Sequence, residues 1–342
     1  NADVTWETAK KLNVGLDFRI FKDLSGSVDI FHEDRSDILQ ERGTVPTFLG
    51  VSQSNIPKMN IGQIENKGME IELSYNREVV KGLFLSLRGN LGFNRNKRTF
   101  ADEVPYDKTY AYRYRKTGYP IGQHFGYEID WDRGGYWTRE LLDNTDLTYT
   151  FGTPRPGDFI YKDLNGDKQI SEADMAPIGY GTVPRRTFGV TFGVDWKGFD
   201  LTVFFQGTGG YHGLYGGNVV YEYMHWGTYF DYHRNAWTPE RWANGEKITY
   251  PALSTQQTTN HIQNTFFIQN RSFVRLKNLE LGYTFPAKVF RRVGITRLRL
   301  FVSGQNLYTW DKLRTDHLDP EPNGSMTYPV TRMFNVGAHL TF

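Results

Sequence analysis

The sequence predicts an all-β protein: a transmembrane antiparallel β-barrel with long extracellular loops. Three observations lead there. Apolar and polar residues alternate with period two along most of the chain. The composition is aromatic-rich and glycine-rich yet polar on average. The connections between alternating stretches are short and long by turns. Of 342 residues, 15% are aromatic, 35 are glycine and only 39% are hydrophobic, with a mean hydropathy of −0.56. A disordered chain lacks such aromatic content. A helical membrane protein needs about 18 consecutive apolar residues, and no stretch approaches that. The 40 basic and 38 acidic residues give no electrostatic case for nucleic acid as a partner. There is no cysteine, so disulfides and thiolate metal sites are excluded. Residues 1–10 carry no signal-peptide pattern.

The alternation is read in chain order. Leu12, Val14, Leu16, Phe18 and Ile20 oppose Asn13, Gly15, Asp17 and Arg19, giving a strand near 11–22. Residues 25–34 follow the same pattern. Met69, Ile71, Leu73 and Tyr75 oppose Glu70, Glu72, Ser74 and Asn76. Leu83, Leu85, Leu87, Leu91 and Phe93 oppose Ser86, Arg88, Asn90 and Asn94. Phe188, Val190, Phe192, Val194 and Trp196 precede the Lys197-Gly198 turn, and Phe199, Leu201, Val203 and Phe205 follow it. Segments 272–285 and 296–309 alternate with slips near Lys277 and Gly304 that predict bulges. Val330 to Phe342 alternates to the end. One oily and one polar or small face per strand is the period-two signature. Soluble strands average about 5–6 residues, whereas a tilted transmembrane strand needs about 9–11. These stretches match the second length.

Short connections follow residue 22 and lie at 78–82, 197–198 and 286–294. Long ones lie at 35–63, 98–185 (with a strand possible at 121–130), 209–270 and 310–329. Short turns at one end and long loops at the other characterise outer-membrane barrels. A soluble sandwich also alternates but need not segregate its loops. Nine strands is an odd count, whereas single-chain bacterial barrels have even ones. Unpaired edges in lipid cost several kcal/mol per orphaned group. Residues 1–342 are therefore expected to be the C-terminal part of a larger barrel, closed by remaining barrel strands outside this chain.

Several motifs in succession strengthen that expectation. Trp6-Glu7 with Lys11-Leu12-Asn13-Val14-Gly15-Leu16-Asp17 opens the series. Asn60-Ile61-Gly62-Gln63-Ile64-Glu65-Asn66-Lys67-Gly68-Met69-Glu70 follows, then Gly157-Asp158-Phe159-Ile160-Tyr161-Lys162-Asp163-Leu164-Asn165-Gly166-Asp167. Phe273-Val274-Arg275-Leu276-Lys277-Asn278, Gly304-Gln305-Asn306-Leu307 and Asp319-Pro320-Glu321 complete it. In this order they resemble the C-terminal portion of the SusC-type TonB-dependent outer-membrane transporters, over essentially the whole chain. The resemblance implies a 22-stranded barrel of which these are the last nine or so strands. It also implies a plug domain outside this chain, energy from the TonB complex through that plug, and a SusD-type surface lipoprotein as lid. The cargo it implies is a bulky polar nutrient, an oligosaccharide or oligopeptide. The location is the outer membrane, with its lipid around the strands. Phe342 would be a terminal aromatic facing lipid, read by the insertion machinery.

Two candidate sites stand out. Asp163, Asn165, Asp167, Gln169 and Asp174 occupy positions 1, 3, 5, 7 and 12 of an EF-hand-like loop, a pattern of oxygen donors suited to calcium. Two features depart from it. Lys168 stands where such loops usually place Gly, and Asp174 is shorter than the usual Glu. A hydrogen-bonded Asx turn without metal is the alternative. Loop 209–270 is dense in aromatics: Tyr211, Tyr215, Tyr221, Tyr223, Trp226, Tyr229, Tyr232, Trp237 and Trp242. Interleaved with Asp231, Arg234, Asn235 and Glu240, they suit recognition of sugar or peptide. Tyr223, Trp226, Tyr229, Tyr232, Trp237 and Trp242 are the candidates for substrate or lid contact, with packing as the competing role of each. Loops 98–185 and 209–270 are expected to form the lid interface.

No catalytic constellation is evident, so no enzyme is expected. The eight histidines are scattered. Glu70 and Glu72 fall on the inward face of a strand, where a water-filled lumen explains them. Two competing functions remain: a passive porin or secretion barrel without energy coupling, and a surface-exposed carbohydrate-active enzyme, which would need two carboxylates about 5–10 Å apart.

Overall fold

A computed structural model describes residues 3–217, 220–224, 229–290, 294–322 and 330–342. It opens with β1 (Thr8–Ile20), β2 (Leu24–Gln40), β3 (Met59–Val80) and β4 (Leu83–Phe100). A long excursion then carries β5 (His124–Gly126), α1 (Arg139–Asp143), β6 (Thr148–Tyr149), β7 (Gln169–Ile170) and β8 (Ala176–Ile178). The sheet resumes with β9 (Arg186–Trp196) and β10 (Phe199–Gly209). A second excursion holds β11 (His212–Leu214), α2 (Pro239–Ala243) and β12 (Ile268–Asn270). The last long strands are β13 (Phe273–Thr284), β14 (Arg297–Asp311) and β15 (Met333–Thr341).

Nine strands form one sheet in the order β1-β2-β3-β4-β9-β10-β13-β14-β15. Every ladder is antiparallel, and neighbours in the sheet are neighbours along the strand succession. The strand count and faces agree with the alternation. Leu16, Val28, Ile71, Leu91 and Phe188 align in one cross-strand row. The adjacent row, Asp17, Ser27, Glu72, Asn90, Gly189 and Gln206, lies on the other face. Glu70 and Glu72 line a hollow of about 980 Å³ on that face with Arg88, Asn90 and Gln206. From Leu83 to Phe93 the apolar strip is about 33 Å long at roughly 3.3 Å per residue. At a barrel tilt near 40° its height matches the roughly 25 Å lipid-facing band of such proteins.

Boundaries differ in three places. β2 and β3 extend further than the alternation suggests, which reduces the loop between them to 41–58. On the added part of β3 the outward positions include Glu65 and Lys67, so the oily pattern ends while the ladder continues. The strand read at 121–130 shrinks to β5, which pairs only with β8. The terminal strand starts at Met333 rather than Val330. The predicted bulge is present: register shifts between Leu276 and Asn278 opposite Gln305–Tyr308, where Asn306 takes φ 52°. Lys197 and Gly198 both take positive φ (50° and 91°), as a two-residue hairpin turn of type I′ requires. The Asn66-Lys67-Gly68 motif also gains a cause. A Cβ at Gly68 would press into the Phe93 carbonyl oxygen of the adjoining strand and the Phe31 ring.

Every buried hydrophobic side chain among the described residues lies between Ala101 and Phe273. The sheet supplies almost none: Leu12, Val14 and Leu16 are each about two-thirds exposed (64%, 64% and 65%). An apolar strip that bare in water would be a large exposed patch. Lipid is the medium in which it is satisfied. The protein's own core sits in the two excursions, which pack on each other as a crown beyond one end of the sheet.

Candidate functional site

The crown is joined along a buried polar seam. Its first half is the Gly157–Tyr161 segment. Gly157 has φ 88°, and a Cβ there would meet the Trp237 ring and Ala252. Asp158 is buried, accepting from Asn260 Nδ2 at 2.8 Å, Arg155 N at 2.9 Å and Thr259 Oγ1 at 3.3 Å. Burial raises its carboxyl above the ordinary aspartate value, and these donors hold it back. Phe159 N donates to Asn260 Oδ1 at 2.9 Å. Tyr161 OH donates to the Thr259 carbonyl at 2.9 Å and accepts from Asn264 Nδ2 at 3.0 Å. Asn264 Oδ1 in turn accepts from Phe266 N and Phe267 N. Around the seam pack Tyr127, Tyr136, Phe159, Tyr161, Trp237, Tyr250, Phe266 and Phe267, drawn from both excursions.

A second knot ties the loop after β14 to the sheet. Arg275 of β13 is 1% exposed; its Nη2 donates to both Asp319 oxygens (2.7 and 2.8 Å) and its Nη1 to Glu321. Arg271 donates to the Pro320, Glu321 and Pro322 carbonyls. Two motifs read separately in the sequence, Phe273–Asn278 and Asp319–Glu321, thus form one ion-paired unit.

The aromatic candidates divide. Tyr223 and Tyr229 meet edge to face at 5.1 Å and are both exposed. Tyr229 lines a pocket of about 610 Å³ with Asp231, Arg234, Trp237 and Arg241. Asp231 and Arg234 are paired at 3.2 Å. Trp237 is buried in the core and shows only part of its ring to that pocket. Tyr232 is half-buried against the core, with Phe230 stacked on it at 5.5 Å. Trp242 is exposed and stands apart, edge-on to Tyr136. Trp226 lies outside the described residues.

Three histidines sit in the crown, His233 buried and His124 and His212 half-buried. His233 Nδ1 accepts from Phe230 N at 3.1 Å while Nε2 faces the Val220 carbonyl at 3.0 Å. His212 Nδ1 accepts from Tyr180 N at 3.1 Å. Burial lowers His124, His212 and His233 below the ordinary imidazole value. Burial pushes the Glu222 carboxyl up, but bonds from His261 (2.7 Å) and Tyr250 (2.8 Å) outweigh it and leave the group lowered. All four groups contribute stability that is present above their unfolded values. That of the histidines is lost as pH falls below about 6.5 through their lowered folded values. Asp158 has the opposite sign: its stability is present below its unfolded value and lost as pH rises through the raised one. Hydrogen exchange is expected to show the crown opening on acidification below about pH 6.5 while β2–β4 stay protected. Uniform protection across that range would contradict it.

The 163–174 loop is closed by its own hydrogen bonds. Asp163 accepts from Gly166 N and Lys168 N, Asn165 Oδ1 from Asp167 N, and Asp167 Oδ1 from Gln169 N. Lys168 adopts φ 66°, so it supplies the turn that Gly usually provides. Asp174 is buried and accepts from Leu164 N, Asn165 N and Ser171 N. Among the described residues no group of three or more His, Cys, Asp or Glu is arranged to hold a metal.

Residues 1–307 match the family described as TonB dependent receptor-like, beta-barrel. The chain belongs to that family. TonB-dependent receptor P3 of Formosa agariphila is 30% identical over 376 aligned positions, covering 100% of this chain and 35% of the relative. TonB-dependent receptor SusC of Bacteroides thetaiotaomicron is 24% identical, covering 100% and 32%. The chain therefore spans about a third of the length of these curated relatives. A solved structure titled as the RagAB peptide transporter overlays with a TM-score of 0.71 at 23% identity, covering all of this chain and 36% of that one. That likeness establishes the fold.

Within this TonB dependent receptor-like barrel, the motifs that looked like markers are joints. Asp158 and Tyr161 join the two excursions; Arg275, Asp319 and Glu321 join the loop after β14 to the sheet. Asn260, Asn264 and Glu222 were not singled out in the sequence. They lie in irregular polar runs where no periodicity points to burial. The one local signal was the Thr258-Thr259-Asn260 run, which is otherwise typical of an exposed turn.

Proposed function

We propose that this chain is the C-terminal barrel portion of a non-enzymatic outer-membrane importer. In this reading, residues 1–342 share a barrel of 22 strands with a plug and further strands outside the chain. Transport is TonB-dependent and active, and a SusD-type lipoprotein covers the crown. Family membership and the names of the curated relatives support the coupling and the lid. The cargo is a bulky polar nutrient, oligopeptide or oligosaccharide. The observation that carries this reading is the division of labour along the chain: a sheet with a bare apolar outer strip, surmounted by a densely packed crown that presents an aromatic pocket. Beside Tyr229, the Asp231–Arg234 pair and Arg241 offer both signs of charge. That favours an oligopeptide, as carried by the RagAB transporter, over a neutral glycan.

Uptake by cells carrying the whole protein tests the mechanism. Collapse of the proton gradient is expected to abolish uptake. Unchanged flux would mean a passive pore. Exchanging Tyr229→Ala together with Trp242→Ala is expected to weaken oligopeptide binding about tenfold, near 1.4 kcal/mol. Isothermal titration of the purified protein reads this directly, and unaltered affinity would remove both side chains from the site.

We propose further that Asp163, Asn165, Asp167, Gln169 and Asp174 take up calcium as a structural clip. The turn at Lys168 and the Asx succession support this reading; carbonyl and amide oxygens would have to complete the shell. Calcium withdrawal is expected to speed proteolysis within 163–174. An unchanged cleavage rate, with no calcium bound in titration, would leave the loop an Asx turn.

A further inference from the structure

The outward face of the sheet changes character abruptly on the loop side of the apolar strip. Register aligns Val14, Ile30, Met69, Phe93 and Arg186 across β1, β2, β3, β4 and β9. The next outward row is Leu12, His32, Lys67 and Arg95, and the one beyond is Lys10, Asp34, Glu65 and Lys97. Within these three rows stand five cations, Lys10, Lys67, Arg95, Lys97 and Arg186, against two carboxylates. Both carboxylates are engaged: Glu65 by Lys67 at 2.7 Å and Asp34 by His32 at 3.1 Å. Among the described residues, Lys10, Arg95, Lys97 and Arg186 form no ion pair, and all four are exposed. The rows are about 6.6 Å apart along the strands, so the belt is about 13 Å deep and begins where the oily strip ends.

We propose that this belt binds the phosphate groups of outer-leaflet lipid headgroups. The proposal rests on the reading that the sheet spans the outer membrane. Its own basis is the sign and height of the charge. A merely solvated face carries both signs, whereas the exposed, unpaired groups here are all cationic. They stand at the level where acyl chains give way to headgroups. Lys and Arg at such a level extend their stems along apolar surface and place their charge at the interface. There, anionic lipid attracts basic groups with an energy that accumulates residue by residue. Arg95 and Arg186 can each present a planar fork to two phosphate oxygens. Opposite them on the inner face are small and polar residues such as Asn94 and Thr187, so the cations are not required by the lumen.

The test compares the full-length protein with its Lys67→Gln, Arg95→Gln, Lys97→Gln triple variant. Both are purified in detergent and titrated with diphosphorylated lipid A or its dephosphorylated form, and retained lipid is counted by native mass spectrometry. The wild-type protein is expected to retain the diphosphorylated form about tenfold better or more. The variant is expected to lose that preference while still inserting into phosphatidylcholine vesicles. Equal preference in the variant, or none in the wild type, would overturn the proposal. So would a variant whose only loss is a co-purifying protein. Failure of the wild type to insert into vesicles would instead overturn the membrane reading on which the proposal rests.

Discussion

Replacing Arg275 with Ala is expected to destabilise the knot between the sheet and the loop after β14 by about 3–5 kcal/mol, because one partner of a buried, hydrogen-bonded charge pair is removed. Arg275 is almost wholly buried; its Nη2 donates to both Asp319 carboxylate oxygens and its Nη1 to Glu321. Without it, Asp319 and Glu321 are left facing one another with Lys277, at 3.5 Å from Glu321, as the nearest compensation. Arg275→Lys should recover only part of the loss, since an ammonium cannot reproduce the fork. Adding Asp319→Asn and Glu321→Gln to Arg275→Ala should relieve much of it, since the stranded charges are then gone. Limited proteolysis in 312–322 is the readout. If Arg275→Ala alone leaves that segment as resistant as in the wild type, the pair does not anchor it.

Asn260→Ala is expected to part the two halves of the crown. The side chain accepts from Phe159 N and donates to Asp158, and both of those groups are buried. Each buried group left unsatisfied costs about 1–3 kcal/mol, more where it is charged, so the loss is about 2–5 kcal/mol. Hydrogen exchange should rise throughout 124–178 and 231–268 while β9 and β10 remain protected. Exchange confined to residues next to position 260 would show that the seam is not cooperative. Asp158→Asn is the informative partner. It removes the charge that burial disfavours but keeps an oxygen acceptor, so it should cost less than Asn260→Ala.

The nine strands were legible because a barrel wall imposes one rule on every residue: alternate positions face lipid or lumen. The rule failed where its cause stopped. At Glu65 and Lys67 the outer face has left the oily layer, so β3 continues without an oily pattern to mark it. The slips at Lys277 and Gly304 were readable because a bulge displaces the period by one residue. The crown obeys no such rule. Trp237 and Tyr229 are both aromatic, eight residues apart in one loop, yet one is core and the other surface. That difference is decided by Gly157 and Ala252, far away in sequence or across the loop. Likewise Arg275 is one of 40 basic residues; its burial depends on a partner segment 44 positions on. The acidic loop at 163–174 was visible as a pattern, but Lys168 taking a glycine-like φ was not, because that conformation is imposed by the Asp163 and Asp167 hydrogen bonds around it.

The central claim is that one face of this sheet meets lipid and the other a water-filled lumen. Residues 1–342 contain no cysteine, so single cysteines placed in them, with any cysteine elsewhere in the full-length protein changed to serine, report on each face. Leu85→Cys, Val190→Cys and Leu201→Cys lie on the outer face; Ser86→Cys, Thr191→Cys and Thr202→Cys lie on the inner one. In the full-length protein inserted in vesicles, the first three are expected to react with a membrane-restricted maleimide and resist a water-soluble one. The second three are expected to do the reverse. Equal reaction of both sets with the water-soluble reagent would contradict a membrane-spanning wall.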